Sequence, residues 1–241
     1  MSNEVLFISD LHLGLDKPAI VKRFIDFLQH RAKRASALYI LGDLFDAWVG
    51  DDDFTAPNAV IRQHLSQLSA SGTAVFLQPG NRDFLIGQRF CQDTGVTLLP
   101  DYHIIELAGE HTLLMHGDLL CTDDTAYQAF RVKAHDPEWQ KNILAKPLWL
   151  RLVAARWYRF RSFLHKRKQQ NDIMDVNQQT VIATLERYSC SRLIHGHTHR
   201  PGLHEFNVDG RLAQRYVLAA WNERSGQVLS CDNGQFSVEV I

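Results

Sequence analysis

Five short apolar runs, at residues 5–8, 37–41, 74–77, 112–115 and 192–194, each give way to a polar loop. They are rich in Val, Ile, Leu and Phe and bounded by Gly or Asp, which is the pattern of buried strands. Between them the period changes. Asp16-Lys17-Pro18 can open a helix, with Asp as cap and Pro in the first turn. Ile20, Val21, Phe24, Ile25 and Leu28 then recur at helical spacing, so one face is expected on the sheet. Residues 58–71 and 84–94 also predict helices, closed by Ser71-Gly72 and near Gly95. Residues 46–53 are acidic and interrupted by Gly50, and predict a solvated loop rather than a cation site. Residues 97–107 and 112–115, joined through Gly109-Glu110, predict antiparallel strands, and residues 214–221, 228–231 and 236–240 predict strands late in the chain. Strand–helix alternation followed by a run of strands implies two sheets packed face to face with helices outside.

Residues 127–172 have another character. Helical periodicity carries Phe130, Trp139, Trp149, Trp157, Tyr158, Phe160 and Phe163, and Pro137 and Pro147 divide it. It holds 11 Lys/Arg against 3 Asp/Glu, a net of +8 that leaves −9 elsewhere, although the whole chain sums to −1. One reading is a surface helical hairpin whose aromatics pack on the core. The other is a basic, apolar-faced cap that holds an anionic lipid or touches an anionic membrane. Its position between the fourth and fifth loops favours the cap. The expected organisation is one domain over 1–241 with a helical insertion over 125–172, a size ordinary for a single large domain.

The near-zero overall charge gives no sign of a nucleic-acid partner. Four scattered cysteines, without CxxC spacing, point to reduced thiols and a cytosolic compartment. Met1-Ser2-Asn3-Glu4 lacks the build of a signal peptide, and no apolar run approaches the ~20 residues that cross a bilayer. A soluble protein is expected, at most lying on a membrane surface.

The loops after the five runs read Asp10-Leu11-His12, Gly42-Asp43-Leu44-Phe45-Asp46, Gly80-Asn81-Arg82-Asp83, His116-Gly117-Asp118 and Gly196-His197-Thr198-His199. Strand ends of a layered α/β sheet are where ligand-binding side chains collect. One Asp after a strand is usually a cap; five loops rich in Asp, His and Asn suggest one metal centre. Oxygen and imidazole donors without thiolates suit Mn, Fe, Zn or Mg. Seven donors exceed one tetrahedral zinc and fit two ions sharing a carboxylate, for which Asp43 is the natural bridge. Paired cations clamp phosphoryl oxygens and activate water, so hydrolysis of a phosphate bond is the economical inference. Gly80 is expected to allow the tight backbone that aims Asn81 inward.

These blocks, in this order from Asp10 to His199, resemble the calcineurin-like metallophosphoesterases. The resemblance implies a four-layer αββα sandwich. It places one metal on Asp10, His12, Asp43 and His199, and the other on Asp43, Asn81, His116 and His197. Many members carry His after the Asn; here Arg82 stands there, which grips phosphate oxygens but cannot act as a general acid. That suits a good leaving group, such as half of a diphosphate. Longer stretches, among them residues 39–48, 80–85, 115–118, 120–124, 173–178 and 195–201, resemble the diphosphatases of the bacterial lipid A pathway nearly end to end. The resemblance implies hydrolysis of a UDP-linked, twice-acylated glucosamine at the α-phosphorus by a metal-activated water. It further implies two divalent ions, manganese being usual, and peripheral attachment to the cytoplasmic face of the inner membrane. Asn81, Arg82 and His197 would meet phosphate and carry catalysis, and Asp124 the glucosamine. Ser162, Lys166 and Gln169 would add substrate contacts from the insertion. Asp83, Asp118 and His195 are expected to orient ligands. Leu148, Leu150, Leu152, Val153 and the aromatics would line an acyl trough, with Arg156, Arg159 and Arg161 facing anionic headgroups.

Two other readings compete. One is a metallophosphoesterase acting on a phosphodiester or phosphomonoester, against which Arg82 and the basic aromatic insertion argue. The other is a non-catalytic scaffold whose basic arm binds nucleic acid or a partner, and such scaffolds lose ligands, whereas all seven are present. No nucleic acid and no obligate protein partner are expected.

Overall fold

The computed structural model describes residues 3–166 and 175–241, with residues 160–166 as backbone. Its strands form two sheets. The first runs β11–β10–β1–β2–β3–β4, from Gln235–Val240, Gln227–Asp232, Val5–Ile8, Ala37–Leu41, Ala74–Gln78 and Thr97–Leu98. The second runs β5–β6–β7–β9–β8, from His103–Leu107, Glu110–Leu114, Arg192–His195, Arg211–Val217 and Gly202–Val208. β1 to β4 are parallel, and β10 pairs antiparallel with β1. β6, β7 and β9 are also parallel.

Neighbouring residues of a strand point to opposite faces, and this alternation builds the layers. Leu6, Ile8, Leu38 and Ile40 join an outer core with Phe24 and Leu28 of α1 (Pro18–His30), Ile61 and Leu65 of α2 (Asn58–Ala70) and Phe90 of α3 (Gln88–Thr94). Phe7, Tyr39 and Leu41 face inward and meet Leu114 and Ile194 of the second sheet. Leu113 and Leu193 point to the far side, against Val181 and Leu185 of a helix at Gln178–Tyr188. The result is helix, sheet, sheet, helix. Each buried Leu, Ile or Phe removes apolar area worth roughly 1.5–3 kcal/mol, so every turn of alternation favours this stacking.

Several boundaries differ from expectation. Lys17, not Asp16, stands at the N-terminal boundary of α1, which has no side-chain capping bond, and Pro18 is its first residue. The helix expected over 84–94 begins only at Gln88, because Asp51 accepts the Gly87 and Phe90 amides and fixes the preceding turn. The strand expected over 97–107 is two strands in different sheets. Gln78 donates to the carbonyls of Pro100 and Asp101 at the crossing between them. β8 is an edge strand with an exposed surface, and it went unseen for want of an apolar run.

Between residues 125 and 166 lie three helices, α4 (Thr125–Ala134), α5 (Pro137–Leu144) and α6 (Leu148–Lys166). The last Gln178–Tyr188 helix is α7. Trp139 lies 6.3 Å from Phe84 and Phe130 stacks on Tyr158 at 4.8 Å. Trp149 and Trp157, however, are 64% and 58% exposed, so these two aromatics of α6 do not pack on the core. Among the described residues, no helix is long and apolar enough to cross a membrane.

Candidate metal centre

Each of the five loops leaves a parallel strand, β1, β2, β3, β6 or β7, at its C-terminal end. The first sheet supplies Asp10, His12, Asp43 and Asn81, the second His116, His197 and His199. Asp10, His12 and His199 form one group of convergent donors, and Asp10, Asp43 and His116 another. His199 Nε2 is 3.2 Å from Asp10 Oδ1 and 3.4 Å from His12 Nε2. On the other side, Asn81 Oδ1, His116 Nε2 and His197 Nδ1 form a triangle with sides of 3.0 to 3.1 Å. An octahedral divalent ion held at roughly 2.1 Å spaces neighbouring donors about 3.0 Å apart, so the triangle fits one. Asp43 lies between, with Oδ2 3.7 Å from His12 Nδ1 and Oδ1 3.8 Å from His116 Nε2.

The local backbone is bent to reach this geometry. Asp10, His12, Asp43, His197 and His199 all have positive φ, between 50° and 69°. Asp and His tolerate this left-handed region better than most residues, and such outliers gather at functional sites. Gly42, at φ 87°, leaves the space His116 occupies: a Cβ there would lie well inside 3.0 Å of its ring. Gly80 serves close approach rather than an unusual turn, since a Cβ would meet the Asp43 carboxylate and amide.

Surrounding groups hold the donors. The His116 Nδ1–H donates to Leu41 O at 2.9 Å, which turns Nε2 toward the site. Ser9 Oγ and the His197 amide both donate to Asp10 Oδ2, at 2.7 and 2.8 Å. Asp83 accepts the Gly80 and Phe45 amides, fixing two of the loops. Asp118 accepts from Tyr127 Oη at 2.5 Å and from Arg131 Nε at 2.7 Å. His195 donates through Nδ1 to Gly196 O and faces Arg215 through Nε2. Asp83 thus braces the loops that carry Asp43 and Asn81, whereas the Asp118 carboxylate and the His195 ring bond to Tyr127, Arg131, Gly196 and Arg215 rather than to a ligand side chain. Ser9 and Tyr127 were missed; Ser9 stands directly before Asp10, and Tyr127 lies three residues after Asp124 at the start of a helix.

The electrostatics also fit a cation. Burial pushes the Asp43 carboxyl up to about 8, with the charges of Asp83 and Asp10 adding to the effect of burial and His116 opposing it. Burial depresses His116, yet Asp43 and Asp10 outweigh it and bring it to about 9. Burial raises Asp10, but the His199 hydrogen bond and the charges of His116, His199 and His12 hold it below the carboxylate range. Buried carboxylates crowd together here, and His12 Nδ1 is buried without a hydrogen-bond partner among the described residues. A divalent cation relieves both conditions.

Other candidate residues are distributed less uniformly. Arg82 lies at the rim, half-buried, and makes no ion pair among the described residues; its amide donates to Asp43 Oδ1 at 2.8 Å. Asp124 caps α4, accepting the Tyr127 amide at 3.0 Å. Ser162 and Lys166 fall on α6 where backbone alone is described, and Gln169 lies outside the described residues. Arg159, expected to face lipid headgroups, instead forms an ion pair with buried Asp46, three residues after Asp43.

The calcineurin-like phosphoesterase family matches residues 4–201. Two relatives, each named UDP-2,3-diacylglucosamine hydrolase and from Salmonella typhi and Salmonella arizonae, are 49% identical over 226 residues, covering 92% of this chain and 93% of theirs. Among solved structures, an archaeal phosphodiesterase aligns over 99% of both chains with a TM-score of 0.49 and 11% identity. With a family match over most of its length and relatives this close, the chain belongs to the calcineurin-like phosphoesterases, hydrolases built around divalent metals, and within them to the family of these Salmonella proteins.

Proposed function

We propose that the chain hydrolyses the diphosphate of UDP-2,3-diacylglucosamine at the α-phosphorus, releasing UMP and 2,3-diacylglucosamine 1-phosphate (lipid X), a step of lipid A biosynthesis. Seven intact donors converging beside Arg82 carry this assignment. Asp10, His12, Asp43 and His199 would hold one divalent ion, and Asp43, Asn81, His116 and His197 a second, with manganese the preferred metal. Bound there, the ions supply Lewis acidity toward phosphoryl oxygens and acidify water. Arg82 grips the departing phosphate bidentately and remains charged throughout. Asn81 and His197 orient the phosphate, and Asp124 orients the glucosamine. Ser162, Lys166 and Gln169 add contacts from the insertion.

The acyl chains would lie along α6, where Trp149, Val153 and Trp157 follow one another at four-residue intervals and are all exposed. A helix with such a face and basic neighbours rests on an anionic surface. We therefore place the protein peripherally on the cytoplasmic face of the inner membrane.

The test is hydrolysis of UDP-2,3-diacylglucosamine by metal-stripped protein, with Mn or Mg restored, in water enriched in heavy oxygen. Metal-dependent release of labelled UMP is expected. Label in the lipid phosphate would overturn the position of attack. No turnover, alongside cleavage of a simple diester, would leave a phosphodiesterase.

A further inference from the structure

α6 is held to the body of the protein in an unusual way. Over residues 148–159 the one buried residue is a charged one, Arg151, whose side chain is 4% exposed. Trp149, Leu150, Leu152, Val153 and Trp157 are exposed, and Tyr158, 45% exposed, stacks on Phe130 of α4. Burial of apolar side chains in the core therefore does not set the position of this stretch. Arg159 pairs with Asp46, and the Arg151 guanidinium anchors the start of the helix through a closed set of polar bonds. Nε donates to Lys146 O at 2.8 Å, inside the turn that begins the helix. Nη1 donates to Val49 O and, at 2.9 Å, to Asp52 Oδ1, while Nη2 meets the second Asp52 oxygen.

The receiving loop is shaped for this guest. Gly50, at φ 137°, has no side chain where one would collide with Arg151 Nη1 and Leu144. The same loop reaches the metal centre: the Trp48 amide donates to Arg82 O at 3.0 Å, and Trp48 Nε1 to Asp51 Oδ1 at 3.1 Å. Arg151, alongside Arg159 on Asp46, thus joins the insertion to the loop that supports Arg82.

We propose that Arg151 is a positioning residue. Its closure on Val49 and Asp52 fixes α6 against the body of the enzyme, and so determines how the acylated part of the substrate is accepted. The substrate half of this statement rests on the glycolipid reading above; the latch itself does not. A fork that fits a carboxylate bidentately cannot be replaced by a lysine point charge without losing direction. Asp52 is 49% exposed, so its bond is open to water and salt, and the latch can release without unfolding the core.

The test compares wild type, Arg151→Ala, Arg151→Lys and Asp52→Asn on UDP-2,3-diacylglucosamine and on bis(p-nitrophenyl) phosphate, with backbone hydrogen exchange on the same samples. The expected result is about a tenfold rise in KM for the glycolipid in Arg151→Ala, equivalent to about 1.4 kcal/mol. Arg151→Lys and Asp52→Asn should show smaller rises, and diester turnover should not change. Exchange should quicken in residues 137–166 alone. Equal losses on both substrates would make Arg151 a general scaffold residue and overturn the proposal. So would unchanged exchange in α5 and α6. If wild type itself leaves the glycolipid intact but cleaves the diester, the substrate reading fails; quickened exchange confined to α5 and α6 would then still support the latch. Asp52→Asn guards against a folding defect, since it alters only the exposed partner.

Discussion

Replacing Gly42 by alanine should break the metal centre from outside the ligand set. Two costs add. The residue sits at φ 87°, where an added Cβ costs about 1–2 kcal/mol. The new methyl would also overlap the His116 ring, which must turn away and give up its bond to Leu41 O; an unpaired buried group costs about 1–3 kcal/mol. Gly72 separates the two contributions. It has φ 100° and nothing within 4 Å of a built Cβ, so Gly72→Ala carries the backbone cost alone. For a chain of this size each kcal/mol moves Tm by about 2–4 °C. Gly42→Ala should therefore unfold several degrees below Gly72→Ala without added metal. With Mn at a hundredfold excess over Kd, wild type and Gly72→Ala should gain about 2.7 kcal/mol, read as a rise of about 5–10 °C. Gly42→Ala should gain almost nothing. Differential scanning fluorimetry across a Mn titration measures all of this. If Gly42→Ala matched Gly72→Ala in both Tm and metal response, the packing of His116 on Gly42 would not govern the site.

Three further outcomes are expected. Arg31 closes on Glu4 and on Glu239, and its hydrogen bonds hold the Glu239 carboxyl below its usual value of 4.5. A depressed carboxylate contributes stability above the unfolded value and loses it as pH falls through the folded one. Glu239→Gln should thus cost about 1 kcal/mol at pH 7, and the difference from wild type should shrink below about pH 4; a urea-midpoint gap independent of pH would refute this. Arg156→Glu should weaken binding to anionic vesicles about fivefold and spare diester hydrolysis, whereas Arg159→Glu should lower hydrolysis too, because it sets a carboxylate against Asp46; equal effects on hydrolysis would sink the distinction. Arg82→Lys should cut kcat on the diphosphate roughly a hundredfold with the metal-induced Tm rise intact, and unchanged turnover would remove Arg82 from catalysis.

The layered fold was legible because buried strands leave unbroken apolar runs. Leu38-Tyr39-Ile40-Leu41 serves two cores with alternate residues, and such a stretch has few other places to go. Ligand types were legible from the loops, since Asp, His and Asn recur after each run. Their left-handed backbone was not, for φ is imposed by tertiary closure rather than by the residue. The strand break after Leu98 also escaped notice, because Gln78 reaches it from twenty residues away. Edge strand β8 buries too little to leave a pattern. Arg159 reads as a headgroup contact and Arg151 carries no pattern of its own, whereas the Asp46–Asp53 loop receives both; composition cannot reveal which basic residue folds back.

The antiparallel seam between β1 and β10 has a consequence for how the chain is made. Val5 pairs with Cys231 and Phe7 with Leu229, so β1 borders a strand made more than two hundred residues after it. Until β10 is made that border is open, with backbone donors and acceptors exposed along a strand destined for the interior. A nascent chain stalled before Gln227 would carry all seven donors beside an unfinished sheet. Pairing of β10 closes that border, so the first sheet is completed only after every loop of the metal centre has been made.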